Sequence, residues 1–129
     1  MISDKELFDQ ATEASKNAVC DTSKFPVGAA LLAADGRVFT GCNIESPSLI
    51  QVMCAERVAL LKALSEGARD FVRIALATPK RPGASPCGFC RQMLHEFAPE
   101  LQVVMIDNRR LVSMPLSDLL PLAFTFEKD

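Results

Sequence analysis

The chain has 129 residues, 49% of them hydrophobic and 23% charged, and a net charge of −2 at pH 7. That length holds one compact domain rather than two, the composition excludes a disordered chain, and no apolar run approaches the ~20 residues a membrane helix needs. With Lys80-Arg81 and Arg109-Arg110 as its short basic doublets, the chain lacks the basic stripe of a polynucleotide binder, which favours a small molecule over nucleic acid as partner.

Taken in chain order, Leu7, Phe8, Ala11, Ala14, Ala18 and Val19 recur at helical spacing over residues 3–19, with Ser3 and Glu6 as a capping box. Val27 to Leu32 reads as a buried strand, and Asp35-Gly36 turns the chain back along Val38 to Asn43. Residues 44–53, with Pro47 and two serines, read as a loop. A helix is expected from Cys54 to Ser65, stopped near Gly67. A strand follows at Phe71 to Ala77, then a proline-rich loop over Pro79 to Pro86 and a helix from Gly88 to Phe97. A strand at Gln102 to Ile106, a short one near Leu111-Val112 and a helical turn at Ser117 to Leu120 complete the reading. Strands alternating with helices imply a three-layer α/β/α sandwich around a mixed five-stranded sheet, one domain over residues 1–129. Met1 to Glu6 is charged and carries no signal-peptide core, so the expected location is the cytoplasm.

Chemistry concentrates in two motifs, Cys54-Ala55-Glu56-Arg57 and Pro86-Cys87-Gly88-Phe89-Cys90-Arg91-Gln92, each at a predicted helix start. In a cytoplasmic protein the five cysteines are better read as ligands, catalysts or core filler than as disulfides. Cys87 and Cys90, three apart, share a face and can hold one metal, and Cys54 would supply a third thiolate. Three protein ligands leave the fourth tetrahedral position open, the mark of a catalytic zinc site. On a helix Cys54 and Glu56 stand about 200° apart, so they converge only if the metal sits at the helix mouth. There Glu56 would take a proton from water and deliver it to substrate. Three thiolates on a dication leave excess negative charge, which two helix N-termini and Arg57 would offset.

Other readings stand beside this one. Cys87-x-x-Cys90 alone also suits a thioredoxin-like redox pair, though that gives Cys54-Ala55-Glu56 no use. A structural zinc module would need a fourth ligand, for which Cys42 or His95 offers itself. Cys20 and Cys42 otherwise read as core residues, Phe25 and Phe124 as core aromatics, His95 as a helix-surface residue, and Arg91 and Gln92 as a cover for the third helix.

The pairing of Cys54-Ala55-Glu56-Arg57 with Pro86-Cys87-Gly88-Phe89-Cys90-Arg91-Gln92 resembles the cytidine deaminase family in its short, three-cysteine class. The resemblance extends to Phe25 through Leu32, to Gly41-Cys42-Asn43-Ile44-Glu45 and to Leu119 through Phe124. It implies one zinc ion on Cys54, Cys87 and Cys90, with Glu56 as proton carrier in the hydrolysis of cytidine, deoxycytidine or a modified cytosine nucleoside to the uridine counterpart and ammonia. It further implies that Asn43 and Glu45 hold the ribose, that Phe25 packs beside the nucleoside and that Ala55 meets the base through its backbone. Phe124 would stack on the base in a neighbouring subunit of a homotetramer. A polynucleotide-editing activity is the less favoured enzyme reading. Thr22, Ser46, Pro47 and Leu49 depart from the family pattern, which bears on pocket shape and admits a modified cytosine or an altered sugar.

Overall fold

The first helix opens on a reciprocal cap. Ser3 Oγ accepts from the Glu6 amide at 3.1 Å, and the Glu6 carboxylate accepts from the Ser3 amide at 3.2 Å. The structure is a computed structural model that describes residues 1–126. Helix α1 (Asp4–Ser15) buries Leu7 and Ala11 and ends earlier than its apolar spacing predicts. Val19 leaves the helical path because its backbone serves a different partner: its amide donates to the Asn43 carbonyl at 3.0 Å, and its carbonyl accepts from the Glu45 amide at 2.7 Å.

Strand β1 (Gly28–Ala33) is buried throughout and pairs antiparallel with β2 (Val38–Cys42). Residues 44–53 are more ordered than the expected loop. They form a two-stranded hairpin of β3 (Ile44–Glu45) and β4 (Val52–Met53), closed by the Ser46 amide on the Gln51 carbonyl. Two-residue strands around Pro47 are too short for a period-2 pattern to reveal. Helix α2 (Ala55–Ser65) follows, then β5 (Phe71–Ala77), α3 (Gly88–Phe97), β6 (Gln102–Asp107), β7 (Arg110–Pro115) and a last turn, α4 (Leu116–Leu119). The short strand expected at 111–112 is a full six-residue edge strand. Its alternation is obscured by Arg110 and Pro115 at its ends, as suits an edge.

The main sheet runs β2-β1-β5-β6-β7, with β5 and β6 parallel and the other pairs antiparallel. It is therefore the expected mixed five-stranded sheet. One face packs Ala30, Leu32, Ala75 and Val104 against α1; the other packs Ala29, Leu31, Ile74 and Val103 against residues of α2, α3 and α4. Two glycines set these layers. A Cβ on Gly28 would lie 1.8 Å from the Ala11 carbonyl oxygen of α1, and one on Gly41 would lie 2.5 Å from the Ala55 carbonyl oxygen and 2.6 Å from the Ala59 nitrogen of α2. Both helices thus rest on bare strand backbone. Gly41→Ala is expected to push the start of α2 off the sheet, at a cost of about 3 kcal/mol. A melting temperature unchanged in thermal denaturation would refute that packing argument.

Candidate active site

Two of the cysteines are helix caps. Cys54 precedes α2 with extended backbone (φ −71°, ψ 151°), and Cys87 precedes α3 in the same way (φ −67°, ψ 164°). A residue just outside the first helical turn aims its side chain at the helix mouth, so the 200° separation of a regular helix does not apply to Cys54 and Glu56. Cys87 Sγ accepts from the Cys90 amide at 3.5 Å, which places Cys90 in the first turn of α3 beneath it. The loop before Cys87 is fastened by Arg91, which donates to the Pro86 carbonyl at 2.7 Å, the Ser85 hydroxyl at 2.8 Å and the Leu119 carbonyl at 2.7 Å. Arg91 thus holds a metal-binding loop to its helix, a task its position alone did not disclose.

The three sulfurs lie within 4.8 Å of one another, with Cys54–Cys87 at 3.9 Å and Cys87–Cys90 at 3.4 Å. Four ligands around zinc at ~2.3 Å place their sulfurs ~3.8 Å apart, so these separations suit a shared zinc, whereas a disulfide needs ~2.05 Å. All five cysteines are free. Among the described residues, the cluster holds these three groups alone. His95 bonds instead to Thr125 Oγ1 at 2.9 Å, and Cys42 lies in β2 opposite Gly28. The thiols differ in surroundings. Burial, with the Glu56 charge beside it, pushes the Cys90 thiol far up. Burial also acts against the Cys87 thiolate, but hydrogen bonds from the Cys90 amide and the neighbouring thiols outweigh it and bring Cys87 below the usual range. Arg57 Nη2 stands 3.5 Å from Cys54 Sγ, delivering positive charge to the sulfur cluster.

Glu56 is 4% exposed, in the first turn of α2. Burial raises its pKa; its own backbone N–H, the Cys90 thiol and Arg57 oppose that rise without cancelling it. A buried carboxyl raised in this way holds a proton more readily than one in water.

Glu56, Cys54 and Cys87 line a cavity of about 250 Å³, together with Phe25, Asn43, Glu45 and Ala55. Residues far apart in sequence meet there because β1, the β3–β4 hairpin and the mouths of α2 and α3 share one end of the sheet. Asn43 is 8% exposed; its Oδ1 accepts from the Val27 amide at 2.8 Å and its Nδ2 donates to the Phe25 carbonyl at 2.9 Å. It holds the Phe25–Val27 wall in place and keeps one amide hydrogen beyond that bond. Glu45 accepts from the Ser23 amide at 3.2 Å, and the Ser23 hydroxyl first and this amide second lower its pKa. Ser23, Met53, Thr78 and Ser85 also line the cavity and were not singled out from the sequence. Ser23 sits before Lys24, which has a left-handed φ of 58° and donates its amide to the Cys20 carbonyl at 2.8 Å. Phe124 is 66% exposed and lies outside this cavity; its carbonyl accepts from Gln92 Nε2 at 2.9 Å.

Known proteins fit this geometry. Residues 1–106 match the family model described as the cytidine and deoxycytidylate deaminase zinc-binding region. A cytidine deaminase of Sporosarcina psychrophila is 40% identical over 125 residues, covering 95% of this chain and 92% of that protein. A blasticidin-S deaminase of Bacillus cereus is 32% identical over 130 residues, covering 95% and 92%. The crystal structure of a cytidine deaminase from Burkholderia pseudomallei superposes with a TM-score of 0.88 at 39% identity, covering 95% of this chain and all of that one. By its sequence, its fold and its three-thiolate centre, the chain belongs to the cytidine and deoxycytidylate deaminase family of zinc-dependent hydrolases.

Proposed function

We propose that Cys54, Cys87 and Cys90 hold zinc and that Glu56 moves the protons in the reaction this chain carries out, the hydrolytic deamination of cytidine or 2'-deoxycytidine to the uridine counterpart and ammonia. The observation that carries this reading is the clustering of three sulfurs, two of which, Cys54 and Cys87, line the same cavity as the buried Glu56 carboxylate. When bound, zinc supplies Lewis-acid activation of water. Glu56 accepts the proton that water gives up and delivers it to N3 of the pyrimidine as oxygen adds to C4. It then takes the proton of the new C4 hydroxyl and passes it to the exocyclic amino group, so that the C4–N bond breaks, ammonia departs and the C4 carbonyl forms. Arg57 offsets the negative charge of the thiolates. Asn43 and Glu45 bind the sugar hydroxyls, Phe25 packs beside the nucleoside, and the Ala55 backbone meets the base.

The whole chain acts as one catalytic domain. A homotetramer is the proposed assembly, with Phe124 of one copy reaching the base in its neighbour; support comes from its exposure and its position outside its own chain's cavity. Free cysteines used as thiolates suit a reducing compartment, which supports a cytoplasmic location. Among the described residues no helix is long and apolar enough to cross a membrane.

Purified protein is expected to convert cytidine to uridine with one ammonia per turnover, read by ultraviolet absorbance and an ammonia-coupled assay. Light scattering of the same sample should give about four times the 14.0 kDa chain mass. A second reading, a modified cytosine nucleoside as the better substrate, is favoured by the blasticidin-S deaminase relative and by the departures at Ser46, Pro47 and Leu49. Folded, zinc-loaded protein that ignores cytidine and deaminates blasticidin S would decide for it.

A further inference from the structure

Of the two residues between Cys87 and Cys90, Phe89 has no role in the chemistry described so far. Phe89 is 64% exposed, an unusual position for a large aromatic side chain at the rim of a catalytic centre. Its ring faces α2, where the Arg57 guanidinium carbon lies 4.3 Å from the ring centroid. That distance is well inside the range of a cation–π contact.

The guanidinium needs such support. Its Nη2 reaches Cys54 Sγ at 3.5 Å and the Val52 carbonyl at 3.4 Å, both long contacts along one edge. Its Nε is buried without a hydrogen-bond partner. A long side chain held by two weak edge contacts has other rotamers open to it, and most would carry its charge away from the sulfurs. The Phe89 ring closes one face and leaves Nη2 directed at Cys54.

We propose that Phe89 is a positioning residue for the metal centre, fixing the Arg57 guanidinium against the Cys54 sulfur and thereby tightening zinc binding. The contact joins the two ligand-bearing helix mouths from outside the coordination sphere. It also explains why the residue is aromatic although it buries little surface. The inference rests on the reading of Cys54, Cys87 and Cys90 as zinc ligands. The competing role for Phe89 is as part of the apolar groove along α3 with Met93, Phe97 and Phe126, where its replacement would alter association between copies and leave the metal alone.

The test is competition for zinc between the full-length protein and a chromophoric chelator at fixed pH. Phe89→Leu, which keeps apolar bulk and loses the ring face, is expected to weaken zinc binding about tenfold. Phe89→Trp is expected to stay within about twofold of the parent chain, since indole offers the stronger face. Arg57→Gln should itself weaken zinc, and adding Phe89→Leu to it should cost less than about twofold more. Unchanged zinc affinity in Phe89→Leu would overturn the proposal, as would an equal loss in both backgrounds. A parent chain that takes up no zinc would instead overturn the ligand assignment, and the proposal with it.

Discussion

Replacing Glu56 with glutamine is expected to lower kcat by about 10²–10⁴-fold, the range typical of a lost general acid–base group. Zinc content and fold should be retained. Glutamine keeps the shape of the side chain and removes a carboxyl that burial already disfavours in its charged form, so the first turn of α2 has no reason to move. KM should change little, because the proposed substrate contacts lie elsewhere on the cavity wall, at Phe25, Asn43 and Glu45. Steady-state kinetics with metal analysis on one preparation checks both halves. A variant with near-normal turnover would remove Glu56 from the mechanism.

The second large effect is expected at Cys87. Cys87→Ala should reduce zinc from one per chain to near zero and abolish turnover, because two sulfurs do not hold the ion against solution. Cys87 is the better choice for this test because it is exposed, whereas Cys90 is fully buried and its truncation would leave a cavity in the core. Metal binding and folding are linked, so the melting temperature of the variant should match that of the parent chain after exhaustive chelation. The burial that pushes the Cys90 thiol up also gives the sign of the pH dependence. The metal-free chain holds that proton and zinc must displace it, so zinc affinity falls as pH is lowered. A Cys87→Ala protein that retains stoichiometric zinc would break the ligand assignment.

The elements with strong local patterns were legible in the sequence. Burial over β1 and β5, the capping box of α1 and the prolines before α3 yielded boundaries within a residue or two, and their alternation yielded the layered fold. What escaped was settled by partners distant in sequence. Val19 keeps helical spacing yet pairs with Ile44. The β3–β4 hairpin is held by its place at the cavity mouth rather than by periodicity, and β7 by its ladder to β6. At the site, the two motifs pointed to a metal-binding chemistry because thiolates three apart at a helix start have few uses. The tasks of Ser23 and Arg91 were invisible, since a backbone amide aimed at Glu45 and a guanidinium folded onto Pro86 depend on the closed chain. The bonds of the Asn43 amide to Phe25 and Val27 were likewise invisible in a strand-end residue.

The contact of α2 with Gly41 divides the cavity into parts that tolerate change unequally. The floor that carries Glu56 sits at a depth set by backbone against backbone, so the smallest substitution beneath it is already a clash and gradual tuning is closed off. The β3–β4 hairpin that supplies Glu45, Val52 and Met53 to the rim is joined through Ile44–Met53 and Glu45–Val52, and its tip leaves Ile50 84% exposed. A library built to widen the range of accepted nucleosides therefore belongs at residues 46–51, where side chains change without disturbing a layer. Selection for new substrates at that rim should leave Gly41 untouched.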